Sequence, residues 1–280
     1  MGDEHPREAS ALDNLREDIR ERLESDKILS PAWVLLPLLA IGIGVAVAIV
    51  AIVIASIGLA VIGFEPGVDF APEEFFVPPA SFFSPAVGAG FGIVAFAGVI
   101  STILLAYLGY LLINRRNKHF KRQSRFYDDL IAYLRAVSSR KRVDAEVGLL
   151  SLERTARVMR EDETEKNAVL WLILVLVSQL LAILYVLYFL GKDIRLHERM
   201  EDGFMEDSNK ILESLGASVE VRRLNPIPER SFVLYLILTV VTLGIFGIYW
   251  LYILITDPNN HFKHHIQYED ELMRKISTIT

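Results

Sequence analysis

The chain has 280 residues, of which 52% are apolar and 23% charged, and its net charge is −6. The acidic balance argues against nucleic acid as the main partner, and the absence of cysteine excludes disulfides, thiolate catalysis and cysteine-based metal sites. The charged residues all lie outside four apolar stretches, 31–64, 86–113, 168–190 and 231–255. Each stretch is long enough to cross about 30 Å of hydrocarbon as a helix. The sequence therefore predicts an all-α, polytopic integral membrane protein of the cell membrane, with four apolar helices in the lipid bilayer and amphipathic helices in the cytoplasm.

Residues 1–30 predict a cytoplasmic amphipathic helix, because leucine and isoleucine recur at spacings of three or four from Leu12 to Leu23, among charged residues. This helix is expected to stop before Pro31, since the residue before a proline is pushed out of the α region. The apolar stretch that follows is preceded by an acidic segment rather than a short basic one. We therefore expect a retained membrane helix, not a signal peptide.

The first two apolar stretches, 31–64 and 86–113, are rich in small residues. Small residues four positions apart permit close helix–helix approach in lipid. We expect these helices to form a hairpin that packs through Gly44, Ala48, Ala51, Ala55, Gly88 and Gly92. The alternative is that glycine and alanine are merely common in membrane helices.

Charge indicates the orientation of this hairpin. The connection 65–85 holds four acids, five prolines and five phenylalanines, but no lysine or arginine, whereas 114–125 carries six lysines and arginines and no acid. By the positive-inside rule, 65–85 is predicted to be an external loop, and the N-terminus and 114–167 are predicted to be cytoplasmic. The phenylalanines are expected to face lipid or, alternatively, to bind a partner.

The other polar segments predict a basic helical region over 114–167, a helical connector over 191–230 and a C-terminal amphipathic helix over 256–280. Within 126–167, a strong apolar stripe contains Phe126, Leu130, Leu134 and Val137, and a weaker one contains Val143, Val147, Leu150 and Met159. Isolated amphipathic helices do not persist well in water. We expect them to pack on one another, on the membrane, or across a homo-oligomer.

An internal repeat marks the ends of three apolar stretches. A tyrosine precedes a histidine by nine positions in Tyr110/His119, Tyr188/His197 and Tyr252/His261. A further tyrosine lies three residues upstream in each copy. These tyrosines and two tryptophans are predicted interface aromatics: Trp33, Tyr107, Tyr110, Tyr185, Tyr188, Tyr249, Trp250 and Tyr252.

The repeat complicates the topology, because true repeats would end on the same side of the membrane and straight consecutive spans cannot. Bends at Ser178-Gln179 and Thr242–Gly244 would turn the last two stretches into half-inserted hairpins. A bend exposed to lipid leaves backbone groups unsatisfied. The simpler interpretation is therefore four spans, with similarity confined to interface chemistry.

The last apolar stretch contains Thr242-Leu-Gly-Ile-Phe-Gly-Ile-Tyr-Trp250, preceded by Arg230-Ser231. This pattern resembles a family of uncharacterised prokaryotic membrane proteins classed as a domain of unknown function, marked by Thr-x-Gly-Ile-aromatic-Gly-x-Tyr-Trp. The flanking Asp257-Pro-Asn-Asn-His-Phe-Lys is similar to archaeal members. The resemblance covers about residues 186–275 and implies no activity.

Histidines are the candidate metal ligands. His261, His264 and His265 share the start of the C-terminal helix, which Asp257 is expected to cap, with Glu269 one turn further on. His197 and Glu201 form a similar pair one turn apart. A zinc site requires three or four ligands and supporting hydrogen bonds, and no His-Glu-x-x-His motif is present. The sequence therefore predicts no metal site, no cofactor and no catalytic residue, and favours solvated histidines at the interface.

Three polar residues lie near the middle of the apolar stretches: Ser178, Gln179 and Thr242. Hydrogen bonding between helices is the usual role of such groups. No ionisable residue lies within any of the four stretches, although proton relays and charge-selective pores usually need one.

The leading hypothesis for function is a non-enzymatic scaffold or assembly protein that presents cytoplasmic helices, as a homo-oligomer. One alternative is a transport or channel subunit with a polar cavity lined by Ser178, Gln179, Thr239 and Thr242. A further alternative is a membrane-shaping protein with half-inserted hairpins.

Overall fold

The computed structural model describes residues 4–63, 85–178 and 180–279, and the regular structure within these ranges is helical. They contain α1 (Glu4–Ser25), α2 (Leu35–Gly63), α3 (Pro85–Lys141), α4 (Glu146–Asp162), α5 (Ala168–Ser178), α6 (Leu180–Ser214), α7 (Phe232–Val241) and α8 (Ile245–Ile276). A short 3₁₀ helix, Pro31–Val34, precedes α2. The predicted external loop 65–85 lies, except for its last residue, outside the described residues.

The molecule has two halves of opposite composition. We call the four apolar stretches the apolar half, and the segments 4–30, 114–167, 191–230 and 256–279 the polar half. Helix α3 has 57 residues and runs through both halves, a length of about 85 Å at 1.5 Å per residue. It provides the axis on which α1, α2, α4, α5 and α6 pack.

Two helices are long and apolar enough to cross a membrane among the described residues, Pro31–Ile54 and Gly88–Lys141. Their apolar side chains are largely uncovered: Ile43 is 63% exposed, Ile54 65% and Phe91 69%. The core helix of a soluble protein would bury such side chains. The exposure is typical of a surface that contacts lipid.

Helices α2 and α3 approach closely at Gly44. A Cβ atom on Gly44 would lie 2.2 Å from the Cβ atom of Ala97, and Ala48 is buried in the same interface. On α3 the close contact is made by Gly90, against Ile52. A Cβ atom added at the predicted Gly88 or Gly92 would meet none of the described side chains within 4 Å. Ala51 is half-buried, and the side chain of Ala55 lies outside the described part.

The third and fourth apolar stretches are each folded back on themselves, so the expected straight helices over 168–190 and 231–255 are not what the structure contains. Trp171 of α5 stacks on Tyr185 of α6, with ring centroids 5.1 Å apart. Similarly, Phe232 of α7 packs on Trp250 of α8 at 5.5 Å. In each case the two helices lie side by side and antiparallel, so the chain reverses its direction between them.

The bend between α7 and α8 has a clear local cause. Gly244 has a φ of 93°, a left-handed conformation that glycine adopts without steric cost. The hydroxyl of Thr242 accepts a hydrogen bond from the backbone N–H of Phe246 at 2.9 Å and so caps α8. These contacts satisfy the first turn of α8 where the chain reverses.

Helices α6 and α8 then continue from the apolar half into the polar half without a break. The expected start of a separate C-terminal helix at Asp257 is wrong, because Pro258 lies inside α8. The carboxylate of Asp257 instead pairs with the guanidinium of Arg230. Two continuous helices, together with α3, therefore carry the three repeat histidines into one region.

The polar half has its own hydrophobic core, formed by α1, α3, α4, α6 and α8. The strong stripe predicted on α3 is buried there, at Phe126, Leu130, Leu134 and Val137. The weaker stripe is correct for Met159, which is buried, and for Val143, which packs against the core, but wrong for Val147 and Leu150, which are exposed. Helix α4 packs through Leu149, Leu152, Ala156 and Met159.

A candidate metal centre of converging histidines

Three buried imidazole rings meet at the junction of α3, α6 and α8. They belong to His119, His197 and His261, the histidines of the internal repeat. The Nε2 atom of His119 lies 3.2 Å from the Nε2 atoms of both His197 and His261. The three repeat copies thus end on the same side of the molecule, as true repeats should.

Each ring has a carboxylate on its other nitrogen. The Nδ1 atom of His119 lies 2.9 Å from Asp26, that of His197 lies 2.8 Å from Glu163, and that of His261 lies 3.1 Å from Glu198. An ionised carboxylate can only accept a hydrogen bond. For His119 and His197 the hydrogen-bond partners therefore assign the N–H to Nδ1, and Nε2 presents its lone pair to the centre. Nδ1 of His261 also lies 3.3 Å from a guanidinium nitrogen of Arg223, and the closer carboxylate of Glu198 favours the same assignment there.

The three Nε2 atoms are arranged to bind a cation. Three lone pairs that face one another at contact distance repel, and imidazoles cannot hydrogen-bond through two acceptors. Zn–N bonds of 2.0–2.1 Å in a tetrahedral site hold their nitrogens about 3.3 Å apart, close to the 3.2 Å found here. Carboxylates on the outer nitrogens are the usual support of metal-bound histidines.

Two side chains are placed to supply a fourth ligand, His265 and Glu201. The nearest ligand atoms of all four histidines lie within 4.8 Å of one another. Glu201 lies 3.9 Å from Nε2 of His197 and 3.8 Å from Nε2 of His261. The buried Nε2 of His265 lies 2.6 Å from Glu201 without hydrogen-bond alignment. Both groups therefore point toward the same site.

The internal repeat gives the centre an approximate threefold arrangement. The residue after each histidine packs on the ring of another copy: Phe120 on His197 at 4.5 Å, and Phe262 on His119 at 4.4 Å. In the remaining copy Glu198 occupies this position and binds His261. Gln123, Glu201 and His265, each four residues after a repeat histidine, form the adjacent layer, in which Gln123 lies 2.7 Å from His265.

The charges around the rings favour an added cation. Five carboxylates lie within 4 Å of the ring nitrogens: Asp26, Glu163, Glu198, Glu201 and Glu269. Two buried guanidiniums oppose them, Arg122 on Asp26 and Glu269, and Arg223 on Glu198 and Glu201. A third guanidinium, that of Arg22, lies 3.6 Å from Glu269. The acids still outnumber the guanidiniums, and an added cation would reduce this excess of negative charge.

The protonation states of His119 and His261 agree with this interpretation. Burial lowers the pKa of His119 to about 3 and holds that of His261 well below its usual value. Both rings are therefore neutral near pH 7, the form that binds metals. At His265, burial would lower the pKa, but Glu201 and Glu269 raise it to about 9, so this ring is charged near pH 7 and Glu201 is the better fourth ligand. Burial would raise the pKa of Asp26, but the charge and hydrogen bond of His119 and the charge of Arg122 hold it below its usual range.

Sequence reasoning named two of the four histidines, His261 and His265, as candidates. It also named His264, which lies on a different face of α8, beside Arg223, and does not join the cluster. It also weighs His197 with Glu201 as a similar pair one turn apart, and it treats His119 only as a repeat marker. The Tyr-to-His spacing was the signal that could have found them, because equal spacing after three apolar segments places three histidines at equal depth.

The predicted interface aromatics lie in three clusters at the apolar end of the same helices. Tyr107 stacks on Tyr110 and also meets Trp33, each at 6.2 Å. Tyr185 pairs with Tyr188, and Tyr249 with Tyr252. Trp250 differs, because it is buried against Phe232 and Tyr235. Each repeat histidine lies about two and a half helical turns after the second tyrosine of its copy.

The polar residues of the apolar half are bonded within their own helices where they are described. The hydroxyls of Ser178, Thr239 and Thr242 donate to the carbonyls of Leu174, Tyr235 and Leu238. Gln179 lies outside the described residues. These hydroxyls serve the bends, which gives no support to a polar cavity lined by them.

One comparison with known proteins gives a match. Residues 230–273 match the family model of DUF4234, a domain of unknown function. The match covers α7 and nearly all of α8, including His261 and His265. No curated protein and no solved structure matches the chain. The match supports a domain of unknown function over these residues, and this domain carries part of the candidate metal centre.

Proposed function

We propose that this chain is an integral membrane protein that binds one divalent transition-metal ion, zinc in the first instance, between α3, α6 and α8. The observation that carries the proposal is the convergence of three Nε2 atoms whose outer nitrogens face carboxylates. The ligands are His119, His197 and His261, with Glu201 or His265 in the fourth position. Packing of α3, α6 and α8 does not by itself require three buried imidazoles with their Nε2 atoms in contact.

The metal has a structural role in this proposal. All four histidines and Glu201 are buried, whereas a catalytic zinc keeps an open position for water or substrate. Borderline metals such as zinc favour imidazole ligands. The ion would fasten together the three helices that leave the apolar half. The protein would then be a non-enzymatic scaffold with a rigid helical domain, for which a homo-oligomer remains our expectation.

The topology is part of the same proposal. Helices α5 and α7 have 11 and 10 residues, about 15 Å each, or half of the roughly 30 Å hydrocarbon core. We infer that α5–α6 and α7–α8 enter the membrane as half-inserted hairpins. The basic region 114–167, the connector 191–230 and the C-terminus would all be cytoplasmic. This arrangement also supports a membrane-shaping role, because half-inserted hairpins widen one leaflet.

The metal content of the purified protein tests the proposal directly. We expect about one zinc ion per chain by elemental analysis, and its loss in His119→Ala and His197→Ala. His264→Ala is the matched control, since it removes a histidine of α8 that lies outside the cluster, and should keep the metal. Helical content by circular dichroism identifies variants that fail to fold.

A second measurement keeps the proposal testable if zinc is lost during purification. Co²⁺ added to the metal-free protein should give the intense visible bands of tetrahedral coordination, in wild type and in His264→Ala but not in His119→Ala. A wild-type protein that binds neither ion would overturn the proposal, as would equal binding by His119→Ala.

The topology can be tested with single cysteines, since the chain has none. Cysteines placed in 114–125, 191–230 and 270–280 should react with an impermeant maleimide from the same side, and a cysteine in 65–85 from the other side. Labelling of 191–230 from the external side would show that 168–190 crosses the membrane and would contradict the hairpins.

A further inference from the structure

A cavity of about 250 Å³ lies between α6, α7 and α8, on a different face of α6 from the histidines. Its apolar wall includes Leu187, Phe232, Trp250 and Leu254. Its polar side includes Lys192, Arg195 and Arg230. One cavity therefore combines a cationic rim with a hydrophobic floor, the two requirements of an anionic amphiphile.

With α5–α6 and α7–α8 inserted in the membrane as proposed above, the cavity lies at the level of the lipid headgroups. Tyr188, one of the interface aromatics, lies on its wall, and the Nζ atom of Lys192 lies 5.8 Å from the centre of the Tyr188 ring. The apolar wall belongs to residues of the apolar half, whereas the cations stand at the boundary with the polar half. A ligand here would contact both hydrocarbon and water.

The cations of the cavity are only partly neutralised. Arg230 is paired with Asp257, which also lines the cavity. Arg195 lies 2.8 Å from Glu229, whose side chain is 81% exposed, and such exposed pairs contribute little and exchange readily. Lys192 is exposed, and its ammonium group lies over the Tyr188 ring. Positive charge is thus available for a phosphate.

We propose that this cavity binds the headgroup of an anionic phospholipid. The phosphate would lie against Lys192 and Arg195, and the acyl chains would leave over Leu187 and Phe232 into the bilayer. The volume suits a headgroup and the first carbons of a chain, not a whole lipid. Basic pockets beside membrane helices are common sites for anionic headgroups. The proposal does not depend on the metal centre.

Native mass spectrometry of the full-length protein in detergent tests this site. We expect one phosphatidylglycerol molecule to remain bound at concentrations at which phosphatidylcholine does not. The double variant Lys192→Ala/Arg195→Ala should bind phosphatidylglycerol at least tenfold more weakly and keep its metal. Lys118→Ala/Lys121→Ala is the matched control, because it removes two exposed cations from the basic stretch, and should bind as wild type does.

Each other outcome decides against the site. Equal binding of the two lipids would overturn the proposal, as would equal loss in both double variants, which would indicate general surface charge. Inorganic phosphate is the third arm. If phosphate displaces the lipid at similar concentration, the cavity is an anion site without lipid specificity, and the proposal fails.

Discussion

The apolar and polar halves of this molecule are held together by different physics. In the apolar half the contacts are those of small and aromatic side chains, as at Gly44 on Ala97 or Trp171 on Tyr185. The polar half buries the ionic groups around the histidines, including Arg122, Glu201 and Glu269, each at most 1% exposed. Buried charges require partners at defined distances, whereas apolar packing tolerates variation.

The comparison shows where function is concentrated. The apolar half needs only the right composition to occupy a bilayer, and many sequences supply it. The polar half places carboxylates and guanidiniums around three imidazoles with little tolerance for error. Changes in the two halves should therefore differ in size, and each prediction below can break or sharpen this difference.

The largest effect is expected from removal of the metal. A chelator should lower the thermal midpoint of the polar half, because structural zinc contributes several kcal/mol to folding. Unfolding of the detergent-solubilised protein can be followed by circular dichroism and by tryptophan fluorescence, which reports on Trp33, Trp171 and Trp250 in or beside the apolar half. We expect helix to be lost first and the fluorescence change to follow at higher temperature.

His264→Ala is the control, and its midpoint should fall with chelator as the wild-type midpoint does. His119→Ala should start low and not respond to chelator. If the chelator shifts His119→Ala and wild type equally, the metal is bound elsewhere. If both signals change together, the two halves form one cooperative unit, and the comparison between them would lose its meaning.

The next largest effect is expected at Arg122. Its guanidinium lies 2.7 Å from both Asp26 and Glu269, and all three side chains are buried. Arg122→Ala leaves Asp26 paired with His119, and leaves Glu269 with the weaker contacts to Arg22 and Gln123. The loss should cost about 3 kcal/mol, the low end for breaking a buried ion pair. Arg135 lies on the same helix as Arg122 and forms an exposed pair with Glu153 of α4. Arg135→Ala should cost at most about 1 kcal/mol. Equal midpoints for the two variants in thermal unfolding would contradict the importance of the buried network.

A smaller effect is expected at Gly44 in the apolar half. A methyl group there would overlap Ala97, so Gly44→Ala must separate α2 from α3, at a cost of about 1–3 kcal/mol. Gly42→Ala is the matched control, since a Cβ on Gly42 meets nothing within 4 Å. Its stability should be unchanged or slightly higher. Thermal unfolding that ranks Gly42→Ala below Gly44→Ala would show that these helices do not pack as described.

The sequence predicted the apolar half better than the polar half, for a physical reason. A membrane helix is recognised by local composition, and the predicted stretches 31–64 and 86–113 each contain part of a helix that is long and apolar enough to cross a membrane. The reversals between α5 and α6 and at 242–244 require few special residues, since one glycine and one threonine suffice for the second. Composition alone therefore did not separate a hairpin from a span.

The metal centre depends on long-range contacts that local patterns do not encode. His119 and His261 are 142 residues apart, and Asp26 comes from the segment after α1. The repeat contained the information about His119, His197 and His261, but not about Arg122 or Arg223. Their roles follow only from the packing of α1 and the connector 191–230 on the cluster.

The smallest effect is expected from the pH dependence of Asp18, which lies on α1 away from the metal ligands. Burial and Asp129 raise the pKa of Asp18, Arg125 and Arg122 lower it, and the net pKa is about 7. The folded state thus holds the proton more tightly than the unfolded state does. The resulting stabilisation is complete below the unfolded pKa of 3.8 and is lost as the pH rises to about 7.

Asp18→Asn removes this dependence, since an amide does not ionise. Relative to wild type, the variant should gain stability between pH 5 and 8, by about 1 kcal/mol once screening through the half-exposed Arg125 is allowed for. The measurement is the difference between the two thermal midpoints at each pH, which cancels titration of the histidine cluster common to both proteins. Asp13→Asn, an exposed acid of the same helix paired with Arg16, is the control and should show a flat difference. If the difference in midpoint between Asp18→Asn and wild type is also independent of pH, Arg125 neutralises Asp18 fully. The buried charges of the polar half would then be balanced outside the histidine cluster as well as within it.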